Sequence, residues 1–148
     1  MFEKILYPTD LSKATKKTLI YTKHLKEAGT KEVVVLNVID QKVIDTIGLI
    51  VSAKVVQSVE SEIKKLEEDR KKRLEPIIAE LKECGYSVRM RIERGIPYKE
   101  ILRIEEEEDV SAIVIGSHGT SNIEEMLIGS VSEKVIRWCK KPVLVIKR

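Results

Sequence analysis

Aromatic side chains are scarce in this sequence. Phe2 is its one phenylalanine and Trp138 its one tryptophan, and aromatics make up 4% of the chain. Little is therefore available on which bases of a nucleic acid could stack. Net charge is small as well, +3. Lys and Glu are interspersed along the helical stretches without forming a basic stripe, so no nucleic acid is expected as a partner. Cysteine is limited to Cys84 and Cys139, which lie far apart with no CxxC spacing. Free thiols in a reducing cytoplasm are the expectation. His24 and His118 are the only histidines, which rules out a zinc site built from several imidazoles. No apolar run reaches the roughly 18 residues of a membrane span, so no membrane partner is expected. The Met1 end leads straight into a strand pattern, so no targeting segment is expected.

What is abundant points to a packed globular chain. Hydrophobic residues are 43% and charged residues 34% of 148 positions, enough for a single domain over residues 1–148 with a real core. Lys4 to Tyr7 is a short apolar strand stopped by Pro8. Asp10 or Ser12 can then cap a helix whose stripe is Ala14, Leu19, Thr22 and Leu25, ended by Gly29. Glu32 to Ile39 is apolar on both faces, as in a parallel sheet covered by helices. Asp40 to Gln57 is apolar, interrupted by Gly48, and carries no clear period. From Val55 a helix runs through Ile63, Leu74, Ile77 and Leu81 to Gly85, with a kink or restart expected at Pro76. Val88, Met90 and Ile92 alternate with Arg89, Arg91 and Glu93, a half-exposed strand suited to a sheet edge. Gly95-Ile96-Pro97 turns into a helix carrying Ile101, Leu102 and Ile104. The acidic run Glu105 to Asp109 closes that helix and reads as a solvated face.

Ala112 to Ile115 is a buried β-branched strand ending in Gly116-Ser117-His118-Gly119. A helix follows through Ile123, Leu127, Val131, Val135 and Ile136, and Pro142 to Ile146 is the last strand. Strand and helix alternate along the chain, which predicts an α/β fold. Its core is a doubly wound, five-stranded parallel sheet of order 3-2-1-4-5, with helices on both faces.

Ligands of such sheets bind beyond the carboxyl ends of the strands, where the winding reverses. That point lies between the first and fourth strands, so Pro8-Thr9-Asp10 and the loop from Gly116 to Ser130 converge there. Gly116 and Gly119 allow a tight turn and a close backbone approach. Gly129 and Ser130 open a helix whose amides suit a phosphate, and Ser130 and Ser132 add hydroxyl donors. Asp10 suits a ribose hydroxyl, or magnesium through water. The backbone at Asn37 to Ile39 suits an adenine, with Val38 over one face. Each feature alone has a plainer role: an ordinary glycine turn, Asp10 as a helix cap, His118 as a loop residue, Pro8 as a strand stop. Their joint placement is what points to a nucleotide.

The spacing Gly116-x2-Gly119-x9-Gly129-Ser130 resembles the motif of the universal stress protein family, in its ATP-binding branch. Lys4-Ile5-Leu6-Tyr7-Pro8-Thr9-Asp10, Leu36-Asn37-Val38-Ile39-Asp40, Gly95-Ile96-Pro97 and Lys141-Pro142-Val143-Leu144-Val145 fit as well, so nearly the whole chain is covered. The resemblance implies a Rossmann-like fold that binds ATP. Pro8, Thr9 and Asp10 would line the adenosine pocket, and Val38 would contact adenine. Gly116, His118 and Gly119 would lie in the loop beside ribose and phosphate. Gly129, Ser130, Val131 and Ser132 would bind phosphates, with Mg2+ or Mn2+ bridging phosphate oxygens. It also implies a homodimer paired through the last strand, a regulatory role in the stress response, and a protein partner not readable here. Segment 40–57 varies among relatives, and nothing is carried over to it.

Two chemical readings compete at this site, and two more are set aside. A nucleotide-dependent switch needs only a grip on ATP. A hydrolase or phosphotransferase needs a positioned cation and an oriented nucleophile. The loop lacks the lysine of GxxxxGK(S/T), and His118 and Glu124 are its only candidate proton carriers, without an orienting partner evident in sequence. Slow or partner-assisted hydrolysis is thus the alternative. A phosphorylated receiver domain would need clustered acids that Asp10 and Glu93-Arg94 do not supply, and a flavin module would need aromatic rings in these loops.

Overall fold

The computed structural model describes residues 1–53, 58–118 and 128–147. Five strands, β1 (Lys4–Pro8), β2 (Glu32–Asp40), β3 (Ser87–Gly95), β4 (Ala112–Gly116) and β5 (Val143–Ile146), form one parallel sheet of order β3-β2-β1-β4-β5. Between them run α1 (Ala14–His24), α2 (Gln41–Ala53), α3 (Val59–Glu83), α4 (Pro97–Glu107) and α5 (Ser130–Trp138). The winding reverses between β1 and β4, as the alternation of elements predicts. No helix among the described residues is long and apolar enough to cross a membrane.

The side-chain alternation of each strand sorts the core into two layers. Ile5, Tyr7, Val33, Val35, Ala112 and Val114 face one side of the sheet, where Leu19 of α1 and Leu74, Ile77 and Leu81 of α3 cover them. Leu6, Val34, Leu36, Ile113 and Ile115 face the other, under Ile101 and Ile104 of α4 and Val135 of α5. Burial of each such aliphatic side chain stabilises the fold by about 1.5–3 kcal/mol before entropy is counted.

Several local expectations change. The unreadable segment after β2 is mostly helix, α2, begun by the Asp40 carboxylate accepting from the Lys42 amide at 3.0 Å. Neither Asp10 nor Ser12 caps α1: the cap position is Lys13, with no side-chain hydrogen bond, and the helix ends at His24 before Gly29 turns the chain at φ 93°. Helix α3 is capped by Ser58, whose hydroxyl accepts from the Ser61 amide at 3.2 Å, and it runs through Pro76 without a restart. The fully buried Leu74 and Leu81 anchor it on both sides of the proline. The described part of the last helix is α5; the expected positions Ile123 and Leu127, like Val55, lie outside the described residues.

The acidic run is a solvated face only in part: Glu106, Glu107 and Asp109 are exposed, but two glutamates are not. Glu105 is buried, and its Oε1 accepts from the backbone amides of Lys140 and Lys141 at 2.9 and 2.7 Å, which fixes the entry to β5. Glu108 is buried too, and accepts from Lys4 at 3.0 Å and from Arg89 and Arg91 at 2.9 Å each. Burial alone would raise its pKa, but the hydrogen bonds from Lys4, Arg91 and Arg89 outweigh it and hold the carboxyl at about 2. Helical periodicity places these two glutamates on the inner side of the run, where the backbone amides and the edge-strand cations need acceptors.

Candidate functional site

The carboxyl ends of β1, β2 and β4 open onto a cavity of about 410 Å3. The β1 end builds one wall. The Thr9 amide donates to Leu36 O at 2.8 Å and so continues the ladder one residue beyond the strand. The Thr9 hydroxyl then serves two neighbours, bonding the Thr15 hydroxyl at 2.9 Å and accepting from the Leu11 amide at 3.1 Å. Asp10 Oδ1 accepts from the Ser12 amide at 2.9 Å, an Asx turn in place of the expected cap. Leu11 between them sits at φ 62°, a left-handed conformation costly for a branched side chain. Tyr7 closes the wall from below. Its hydroxyl donates to Thr15 O at 3.2 Å, and burial raises its pKa, so the phenol stays neutral.

Asn37 joins this wall to β2. It is fully buried, and its amide nitrogen donates to Thr9 O at 2.8 Å while its oxygen accepts from Arg70 of α3 at 3.4 Å. Beyond it, Val38 and Asp40 of β2, Val43 of α2, and Pro97 and Ile101 of α4 form an apolar end with one carboxylate.

The opposite end belongs to β4 and α5. The Ser117 amide donates to Ile146 O at 2.8 Å, and the Gly129 amide returns to Ser117 O at 2.6 Å. That bond brings the start of α5 beside the end of β4. Gly129 occupies the cap position at φ −70° and ψ 159°, with no side-chain cap. The first amides of α5, at Ser130, Val131 and Ser132, therefore have no helical partner and carry the positive end of the helix dipole toward the cavity. The Ser132 hydroxyl donates to Gly116 O at 2.6 Å, so its proton is committed to shaping the loop. Ser130 is exposed and lines the cavity. Gly116 has no positive φ. Its requirement is space, since an added Cβ would stand 3.3 Å from Thr18 Oγ1. His118 has an orienting neighbour, for its Nδ1 lies 2.7 Å from the Ser117 hydroxyl.

Pro8, Thr9, Asp10, Val38, Gly116, His118, Gly129, Ser130, Val131 and Ser132 all line this one cavity. Gly119 and Glu124 lie outside the described residues. A model of the universal stress protein family matches residues 1–147. This chain belongs to that family. It is 43% identical to the universal stress protein MJ0577 of Methanocaldococcus jannaschii, over all of this chain and 96% of that one. It is 33% identical to the universal stress protein YxiE of Bacillus subtilis, over 99% and 100% of the two chains. The solved structure of MJ0577 superposes with a TM-score of 0.88 at 40% identity, covering 100% of this chain and 97% of that one. A universal stress protein from Archaeoglobus fulgidus in complex with dAMP shares the fold, with a TM-score of 0.65 at 22% identity over 99% of this chain and all of that one.

The universal stress protein site has parts that sequence reasoning missed. Arg70 sits in the charged face of a long helix, where nothing distinguishes it from the neighbouring Lys71, Lys72 and Arg73. The sequence points only to the backbone of Asn37, while its side chain braces Thr9 and meets Arg70. A lone buried Asn inside an apolar β-run was the available signal, since such a side chain needs partners for both ends of its amide. Thr15, Thr18 and Val43 also line the cavity, brought there by the starts of α1 and α2.

Proposed function

We propose that this universal stress protein binds ATP at the β1–β4 cavity and acts as a nucleotide-dependent regulatory module. The observation that carries the reading is the pairing of two unlike ends in one cavity. An uncapped helix start at Gly129 to Ser132 suits phosphates, and an apolar end at Val38, Val43 and Ile101 suits a base. Asp10 stands between them as an acceptor for ribose hydroxyls. Gly119 is proposed to approach the ligand with Gly116. The complex of the Archaeoglobus fulgidus protein with dAMP supports an adenine nucleotide at the level of the shared fold.

A divalent cation, Mg2+ or Mn2+, fits as a companion of the triphosphate rather than as a resident of the protein. No cluster of three or more His, Cys, Asp or Glu able to hold a metal exists among the described residues. The Asp10 carboxylate and Ser130 hydroxyl are the groups that would complete the shell of an ion carried by phosphate oxygens, where it would neutralise phosphate charge. Phosphoryl transfer at enzyme rates needs a cation on the transferred group. Among the described residues lining the cavity, Arg70 is the only Lys or Arg, and it belongs to the β2 end. That favours holding over cutting. Slow hydrolysis keeps one supporting feature, the Ser117–His118 contact. We further propose a homodimer paired through β5 and a cytoplasmic location, where Cys84 and Cys139 stay reduced.

Calorimetric titration of nucleotide-free protein with ATP, ADP and AMP, with and without Mg2+, tests the reading. ATP binding that Gly129→Val abolishes in a still-folded protein is the expected result. An ATP-silent wild type would overturn it. Single-turnover hydrolysis at about 1 per second or faster would replace the switch with an enzyme.

A further inference from the structure

We propose that Arg70 is a specificity-determining residue that reads the edge of the bound base, donating a hydrogen bond to a ring nitrogen of adenine. The inference rests on the adenine-nucleotide reading and assigns a role to a side chain outside the glycine motif.

Arg70 differs from the other described arginines in its pairing. Arg73, Arg89, Arg91, Arg94, Arg103 and Arg137 each hold a carboxylate. Among the described residues, Arg70 has only the 3.4 Å bond to Asn37 Oδ1. A guanidinium carries five donors and no acceptor, so most of its capacity is unspent while it borders a cavity. The side chain is half-buried and lines the cavity wall beside Asn37.

Strand order fixes which part of a nucleotide it meets. Asn37 and Val38 end β2, whereas the uncapped start of α5 stands over β4, two strands away in the order β2-β1-β4. At about 4.8 Å per strand, those ends lie roughly 10 Å apart. Phosphates held by the Gly129–Ser132 amides therefore leave the base beside Val38, Val43 and Arg70. There the ligand groups that match a donor-only side chain are the purine ring nitrogens. The bond to Asn37 is long and weak, so an acceptor on the ligand completes the guanidinium at little cost.

The test titrates wild type, Arg70→Met and Arg70→Lys with AMP, ATP and the 1-deaza, 3-deaza and 7-deaza analogues of ATP. Thermal melting confirms that each variant is folded. Arg70→Met is expected to weaken AMP and ATP by the same factor, about tenfold or more, as for a lost charge-assisted hydrogen bond. One deaza analogue should bind wild type about that much less tightly than ATP, yet bind Arg70→Met as well as ATP does. Arg70→Lys should restore part of that discrimination. A residue that only braced Asn37 would leave the deaza discrimination intact in Arg70→Met, and that result would overturn the proposal. So would a loss that grows from AMP to ATP, which would place Arg70 at the phosphates. A wild type that binds no adenine nucleotide overturns the underlying reading as well, whereas tight binding with an indifferent Arg70 removes this inference alone.

Discussion

Two residues separate buried polarity that is matched from buried polarity that is not. Glu108 meets three cations, and its folded pKa of about 2 lies below the ordinary 4.5. A depressed carboxylate pKa contributes stability above pH 4.5 and loses it as pH falls toward 2. Glu108→Gln should therefore cost about 3 kcal/mol at pH 7, because Lys4, Arg89 and Arg91 lose their shared counter-charge. Urea denaturation at pH 7, 5 and 3 should show the gap between wild type and variant closing over the acid range; a gap independent of pH would sink the account. Ser12 is the opposite case. Its hydroxyl is buried without a hydrogen-bond partner among the described residues. Ser12→Ala should raise the stability of the ligand-free protein by about 1 kcal/mol, since an unsatisfied buried hydroxyl costs about that much, and a lower denaturation midpoint would contradict it. Legibility at this scale followed residue type. Pro8, Asp10 and the glycines announce themselves because few roles suit them in a loop. Glu105 and Glu108 were misread because a run of carboxylates shows its charge, while the Lys140 and Lys141 amides that need one of them lie more than thirty residues away.

Among the elements, strands read more clearly than the helices that follow them. β-Branched runs such as Val33 to Val35 and Ile113 to Ile115 leave little choice of structure, and the alternation in Val88 to Arg91 marks β3 as the sheet edge that it is. Helix α2 was hidden because its apolar residues go nearly all round: Leu49 and Ile50 are exposed while Ile44 and Ile47 are half-buried. No single stripe emerges from such a pattern. Pro76 misled in the other direction. A proline inside a helix removes one hydrogen bond and crowds the preceding turn, yet α3 continues because Leu74, Ile77 and Leu81 are buried on either side of it. The cost is still present in the native state. Pro76→Ala should stabilise the protein by about 1–2 kcal/mol, the helix gain of up to about 3 kcal/mol being offset by a more flexible unfolded chain. A higher urea midpoint with an unchanged slope is the expected outcome. A lower midpoint would mean that α3 is shaped around the proline.

For the whole molecule, the two edges of the sheet are built differently, and the difference predicts how copies associate. The β3 edge is guarded by charge. Arg91, Glu93 and Arg94 lie along it, and their ion pairs run to Glu60, Glu67, Glu107 and Glu108. Such an edge resists pairing, because a second strand would have to displace charged side chains held in place on both faces. The β5 edge has no such guard. Its four residues, Val143 to Ile146, are all apolar and pair only with β4, and Leu144 is 41% exposed. Exposed apolar strand edges recruit a partner strand, and a second copy of the same edge is self-complementary about a two-fold axis. Association should therefore run through β5, on the opposite side of the sheet from β3. Sedimentation velocity at tens of micromolar should give twice the chain mass for wild type. Leu144→Lys should give a monomer, since one lysine placed on an edge strand is an effective block. Arg89→Leu at the other edge should leave the dimer intact. A monomeric wild type, or a dimer indifferent to Leu144→Lys, would show that the unguarded edge is not the interface. The β5 edge also bears on the site, because Ile146 O receives the Ser117 amide beside His118. Strand pairing across two copies would stiffen the loop that opens α5, so the Leu144→Lys monomer should bind ATP more weakly than the dimer in the same titration.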